Sequence, residues 1–142
     1  MTSTLLGRWQ TRFLLIITVG LGVTLPFMFL QVGGITGEIF LRVLGYILGL
    51  GFGWDILYHY GEKLRWDRDW PGFFQGLAAI WEAVFLVFLI KKFEVPGVPG
   101  DNFSVKIFFL HYSLVWVAIY VSSQSLMRVL FPYWRFRGGQ WF

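Results

Sequence analysis

The chain has 142 residues, enough for one domain. Apolar residues make up 56% of it and charged residues only 14%, against roughly 25% charged in an ordinary soluble domain. This composition excludes a soluble catalytic domain and predicts an integral membrane protein. The net charge of +4 comes from Lys and Arg in short segments between long apolar runs. Positive residues in such segments set the orientation of membrane proteins, so we expect no nucleic-acid partner. The sequence has no cysteine, which excludes disulfides and thiolate metal sites.

Hydrophobic runs predict an all-α protein in which about four membrane-spanning helices form a small antiparallel bundle. About 20 apolar residues cross the hydrocarbon core, and short loops favour antiparallel neighbours. The first run is too long for the apolar part of a secretory signal, and no small-residue cleavage site follows it, so we expect it to be retained as a span. The predicted spans cover residues 13–30, 39–58, 72–90 and 105–130, and a basic aromatic tail follows at residues 132–142.

The second predicted span carries a glycine at every fourth position, namely Gly45, Gly49 and Gly53. We call these three residues the glycine stripe. In a membrane, small residues at this spacing let another helix approach closely. The sequence therefore predicts a helix-packing surface, and the small or polar stripes of the second, third and fourth spans are expected to face one another.

Ionisable residues at membrane depth are costly when they face lipid, by about 3 kcal/mol on insertion scales. Arg42, Glu82 and His111 fall inside predicted spans. The rise of about 1.5 Å per residue places Arg42 and His111 in the outer half of the membrane and Glu82 near the midplane, within reach of a long arginine side chain. We therefore expect an Arg42–Glu82 pair with His111 nearby. Two interpretations stay open: an ion pair that holds the helices in register, or a proton or ion path through Glu82.

Asp55 and His59 lie four residues apart, and Asp67 and Asp69 follow in the most polar segment. A histidine with several carboxylates can bind a divalent cation, although the spacing matches no established metal motif. The alternative is that Asp55 caps the helix or pairs with a nearby cation. Helix rise separates His59 from His111 by roughly 20 Å in depth, which excludes a haem held by both histidines of one chain. The sequence indicates no particular cofactor.

Positive residues predict the orientation. Eight of the Lys and Arg residues fall on the side of the two termini and four on the other side, so both termini are expected to be cytoplasmic. The tail alternates arginine with aromatic residues, a pattern typical of contact with lipid headgroups or with a partner protein. Its candidate contact residues are Trp134, Arg135, Arg137 and Trp141.

These features favour a non-catalytic structural or accessory subunit of a larger membrane complex. It would pack through the glycine stripe and aromatic surfaces against other integral subunits, copies of itself and membrane lipids. The expected location is a plasma or inner membrane, or an internal energy-transducing membrane. The alternative is a small homo-oligomeric transporter or channel that uses Arg42, Glu82 and His111. An enzyme acting on lipid through Asp55, His59 and the following aspartates ranks below both.

Overall fold

The computed structural model describes residues 5–31, 34, 37–65, 72–93, 96–98 and 104–133. These residues are helical apart from short connecting segments and contain no strand. Four helices are long and apolar enough to cross a membrane, which confirms the prediction of an all-helical, multi-pass membrane protein. They cover Leu5–Leu30, Gly37–Leu64, Phe73–Phe93 and Val105–Leu130.

The first long helix has three parts: α1 (Leu5–Leu15), a π turn (Ile16–Gly20) and α2 (Leu21–Leu30). In an α-helix of 3.6 residues per turn, side chains four positions apart drift around the axis by about 40° at each step. A π turn has wider i→i+5 hydrogen bonds and offsets part of that drift. Residues 16, 20 and 24 are accordingly all buried.

The second long helix is α3 (Gly37–Leu64), and the third is α4 (Gly72–Phe93). Buried positions recur at spacings of three, four or seven residues along both, as expected for helices that each present one face to a shared core. On α3 these positions are Phe40, Val43, Leu44, Ile47, Gly51, Asp55 and Glu62, and on α4 they are Ala79, Ala83, Leu86 and Ile90.

The fourth long helix consists of α5 (Val105–Gln124) and the short α6 (Leu126–Leu130). Ser104 is the N-cap of α5, where its side-chain oxygen accepts a hydrogen bond from the Ile107 backbone N–H. Val98, in the segment between α4 and α5, is buried in the main hydrophobic core. Residues 96–98 therefore pack against the helices, where Arg42 and Tyr46 also bond to their backbone.

Burial in this protein is the reverse of burial in a soluble domain. Arg8 is 1% exposed and Asp55 is 0% exposed, whereas Phe29 is 81% and Val129 is 78% exposed. Charged residues are almost never fully buried in soluble proteins unless they are paired. In lipid an apolar exterior is favourable and a charge gains most by turning inward.

The helices extend beyond the predicted spans, most clearly at the N-terminus. The first one begins at Leu5 rather than at residue 13, and α3 ends at Leu64 rather than at residue 58. The prediction ended each span where charged residues began, on the assumption that charges lie outside the hydrocarbon. The structure places Arg8, Arg12 and Glu62 within helices and turns them toward neighbouring helices.

Candidate functional site: a buried charge cluster beside a cavity

Arg12 holds two carboxylates from two different helices. Its Nε and Nη2 donate to Oδ2 and Oδ1 of Asp55 on α3, each at 2.8 Å. Its Nη1 and Nη2 donate to Oε2 and Oε1 of Glu82 on α4, at 3.1 and 3.3 Å. The planar guanidinium suits such two-pronged contacts, so Arg12 joins the first three long helices.

Tyr58 completes this group, because its hydroxyl donates to Glu82 Oε1 at 3.0 Å. We call Arg12, Asp55, Tyr58 and Glu82 the Arg12 cluster. The side chains of Arg12, Asp55 and Glu82 are 13%, 1% and 11% exposed. With both carboxylates ionised, the cluster has one positive and two negative charges, so its formal net charge is −1.

Gly51 makes room for the guanidinium of Arg12. It lies one helical turn before Asp55 on α3, and a Cβ built on Gly51 would lie only 2.7 Å from both Cδ and Cζ of Arg12. Real Cβ atoms essentially never approach another heavy atom within 3.0 Å. With a side chain at residue 51, Arg12 would have to shift from its present position beside Asp55.

A second ion pair lies beside the Arg12 cluster, where Arg8 Nη2 donates to Glu62 Oε2. The Arg8 side chain is fully buried, and that of Glu62 is 10% exposed. Arg8 precedes Arg12 by four residues and Glu62 follows Asp55 by seven, so each helix presents its two charged residues on one face. Arg8–Glu62 and Arg12–Asp55 are therefore successive ion pairs along the contact between α1 and α3.

A cavity of about 320 Å³ lies against this charged surface. Such a volume is within the range of small-molecule sites, roughly 300–1,000 Å³. Arg12 and Glu82 line it from α1 and α4. Ile16, Ile47 and Val115 line a buried apolar part, whereas the exposed Arg128 and Pro132 line the part nearest the end of the described chain. The cavity thus combines apolar walls with a few polar groups.

α5 contributes aromatic side chains to the same cavity. Tyr112, Trp116 and Tyr120 all line it, and the rings of Trp116 and Tyr120 stack with centroids 5.2 Å apart. The Tyr112 hydroxyl donates to the backbone carbonyl of Ala79 at 2.8 Å, which fixes α5 against α4. Aromatic faces and a carboxylate therefore line one small space.

His111 lies in a different place, in a closed aromatic contact. Its ring meets those of Phe27 and Phe40 edge-on, with centroids 4.9 and 5.2 Å away. The Thr24 hydroxyl donates to the carbonyl of Gly20, so its oxygen accepts from the Nε2–H of His111 at 2.9 Å. This arrangement fixes the tautomer and gives His111 a packing role between the first and fourth long helices.

The structure does not bring Arg42, Glu82 and His111 together, so the predicted Arg42–Glu82 pair is wrong. Arg42 is exposed, donating to the backbone carbonyl of Gly97 at 2.8 Å and to Glu38 at 3.3 Å. The cation that contacts Glu82 is Arg12. The prediction missed it because it placed Arg12 outside the first span and left Arg42 as the nearest available cation.

The glycine stripe does not pack against another described helix of this chain. A Cβ added at Gly45, Gly49 or Gly53 would have nothing within 4 Å, and all three residues are exposed. The expectation that these glycines face the stripes of the other spans is therefore wrong. They lie on the side of α3 that points away from Gly51 and the Arg12 cluster.

The predicted metal constellation is not assembled among the described residues, where no three His, Asp or Glu side chains form a metal-binding group. Both oxygens of Asp55 contact Arg12, and His59 lies one turn further along α3. The other predicted members, Asp67 and Asp69, lie outside the described residues, as do the tail residues Trp134, Arg135, Arg137 and Trp141.

A signal for the true cluster is present in the sequence. Arg8 and Arg12 have i,i+4 spacing, which would place both on one face of a helix that continues into the first apolar run. Asp55 and Glu62 have i,i+7 spacing, so they too share one helix face, and they carry the opposite charge. Comparison of the chain with protein families, with curated proteins and with solved structures gave no match.

Proposed function

We propose that this protein is a non-catalytic structural or accessory subunit of a larger membrane assembly. It packs through the glycine stripe against a transmembrane helix of another integral subunit or of a second copy of itself. The observation that carries the proposal is the outward position of Gly45, Gly49 and Gly53, which have open space above them.

The physical reason lies in what glycine offers a membrane helix. Glycine weakens a helix interior by about 1 kcal/mol relative to alanine, and the described part of the chain makes no contact above the three outward glycines that would offset this. Against a partner helix they allow close backbone approach and extensive van der Waals contact. Apolar residues border the stripe at both ends, with Leu41 38% and Leu57 58% exposed.

Replacement of a stripe glycine by a bulky residue tests this proposal. Gly49→Ile should remove the chain from its assembly, because the side chain would hold the partner helix away. The measurement is the mass of the complex after extraction of the native membrane in mild detergent. Gly22→Ile is a matched control, since Gly22 is also exposed on a long helix with nothing within 4 Å of its Cβ position.

Two results would overturn the proposal. One is a wild-type chain that migrates as a monodisperse monomer in the mild extract. The other is an assembly that tolerates Gly49→Ile as well as Gly22→Ile. If a complex is found, its subunit composition shows whether the partner is a second copy of this chain or another subunit.

Antiparallel neighbours and cytoplasmic termini belong to the same proposal. Arg8 contacts Glu62, Arg12 contacts Asp55 and Met28 lies beside Gly37, so residue numbers rise along one helix as they fall along the other. Since Arg8 and Arg12 are ion-paired, they no longer count as free topology charges. Arg42 is left out for the same reason, since it pairs with Glu38. Six positive residues then remain on the side of the termini against three on the other, which still favours cytoplasmic termini in a plasma, inner or internal energy-transducing membrane.

The tail is proposed to contact lipid headgroups or the partner protein through Trp134, Arg135, Arg137 and Trp141. Arginine next to aromatic residues suits the anionic and amphipathic headgroup region.

A second candidate function is a small homo-oligomeric transporter or channel, and the cavity beside Glu82 favours it. The polar residues of the path would then be Arg12, Asp55 and Glu82 rather than Arg42 and His111. Flux of a charged solute into liposomes that contain the purified protein would fall in Glu82→Gln. Unchanged flux would remove Glu82 from any path.

A further inference from the structure

We propose that the cavity beside Glu82 binds a hydrophobic organic cation, whose ammonium-type head lies between Glu82 and the aromatic residues of α5 and whose apolar body lies against Ile16, Ile47 and Val115. The inference goes beyond the subunit role, because the site is built within one copy of the chain. It also supplies a ligand class for the second candidate function.

The charge of the Arg12 cluster is the first reason. Asp55 and Glu82 share one guanidinium, so one formal negative charge in the cluster is uncompensated. The neighbouring Arg8–Glu62 contact brings one positive and one negative charge. An unbalanced charge away from water is costly, and a bound cation removes the cost. Of the two carboxylates, Glu82 is the one that lines the cavity.

The aromatic lining is the second reason, and it selects an organic head. Tyr112, Trp116 and Tyr120 bring aromatic rings to the same cavity as Glu82. Cations over the faces of Trp and Tyr gain about 0.5–2 kcal/mol, and aromatic cages are a known means of binding quaternary ammonium groups. A carboxylate together with aromatic rings suits a large, weakly hydrated cation.

A metal ion is the less suitable occupant. Calcium and magnesium take six or more oxygen ligands, and the described residues bring no group of three His, Asp or Glu side chains together. Apolar walls at Ile16, Ile47 and Val115 would contact a hydrated ion unfavourably. The same walls suit the hydrocarbon part of an amphipathic ligand.

The strongest competing occupant is an anionic amphiphile, because three arginines, Arg8, Arg12 and Arg128, also line the cavity. Arg8 and Arg12 are held by carboxylates, whereas Arg128 is exposed on α6 and Glu82 lies about 15 Å along α4 by helix rise. Binding at Glu82 predicts a preference for a cation, whereas binding at Arg128 predicts a preference for an anion. Two ions of similar shape and opposite charge therefore distinguish the two possibilities.

Equilibrium dialysis of the purified full-length protein in a neutral detergent provides the test, with tetraphenylphosphonium and tetraphenylborate as probes. We expect saturable binding of the phosphonium and at least tenfold weaker binding of the borate. Glu82→Gln and Asp55→Asn should each weaken phosphonium binding at least tenfold, because each brings the net charge of the cluster to zero. Glu38→Gln, an exposed carboxylate that contacts Arg42, is the matched control and should leave binding unchanged.

Ala78→Phe is a further variant that leaves every charge in place. Ala78 lines the cavity, so a phenyl group there should block the phosphonium without disturbing the Arg12 cluster. If either charge variant does not fold, Ala78→Phe still tests whether the phosphonium binds in the cavity. Preference for the borate, or phosphonium binding that survives Glu82→Gln and Ala78→Phe, would overturn the proposal. If the protein binds the phosphonium but the liposomes show no solute flux, the binding site is supported and only the transporter function is contradicted.

Discussion

Gly51 and Arg12 occupy complementary space: the guanidinium lies where a side chain of Gly51 would be, with Cδ of Arg12 2.7 Å from the Cβ position. Gly51→Ala should therefore push Arg12 away from Asp55 and destabilise the folded chain by about 2–3 kcal/mol, the scale of a disturbed buried ion pair. Unfolding in mixed detergent micelles, followed by circular dichroism, measures this.

Gly49→Ala is the matched control for that substitution, since a Cβ at Gly49 meets nothing within 4 Å. It should change stability by no more than about 1 kcal/mol, the difference in helix propensity. Equal effects of the two alanines would contradict the packing of Arg12 over Gly51.

Arg12→Gln should be more damaging than Glu82→Gln, although both remove one charge. Arg12→Gln leaves Asp55 and Glu82 without their shared cation, and we expect a loss of about 3–5 kcal/mol. Glu82→Gln leaves the two-pronged Arg12–Asp55 pair neutral and intact and removes the excess negative charge, so we expect a loss of no more than about 1 kcal/mol from the weakened hydrogen bonds. The same micelle unfolding assay ranks the two variants, and a reversed order would contradict the charge balance assigned to the cluster.

His111→Phe should be tolerated better than Thr24→Val. A phenylalanine keeps the edge-on contacts with Phe27 and Phe40 and leaves the Thr24 hydroxyl bonded to Gly20. Thr24→Val leaves the buried Nε2–H of His111 without its acceptor, which costs about 1–3 kcal/mol. Thermal unfolding of the two purified variants in one detergent checks the order, and a larger loss in His111→Phe would point to a role for the imidazole beyond packing.

Arg42→Gln should change the free energy of unfolding by less than about 1 kcal/mol, because exposed ion pairs such as Glu38–Arg42 contribute little. Arg42 also donates to the carbonyl of Gly97, so its loss should loosen residues 96–98. Faster limited proteolysis at that segment, with unchanged global stability, is the expected combination. A loss as large as that of Arg12→Gln would instead place Arg42 in the core.

Hydrophobic runs predict the number and type of the helices well, because lipid forces the backbone of each apolar run to satisfy its own hydrogen bonds. Charged residues at the ends of those runs are harder to place. In the sequence, Arg12 fits a headgroup anchor and a buried ion-pair partner equally well. Only the positions of Asp55 and Glu82 in the folded structure decide between the two. Glycines pose a similar problem, since Gly49 and Gly51 differ in their surroundings only because they lie on different sides of α3.

The π turn at Ile16–Gly20 is also invisible to simple periodicity, since it changes the register within an unbroken apolar run. If the first long helix were α-helical throughout, Thr24 would lie further around the helix axis from Arg12 than it does with the π turn. The contact between Thr24 and His111 could not be predicted for the same reason.

Arg8 and Arg12 have consequences for biogenesis. Their carboxylate partners lie 54, 43 and 70 residues further along the chain, at Glu62, Asp55 and Glu82. When the ribosome has delivered only the first apolar segment, both guanidinium groups still lack these counterions. Stable integration of that segment should therefore wait for α3 and become complete with α4, so that the N-terminal half enters the bilayer as a cooperative unit rather than helix by helix.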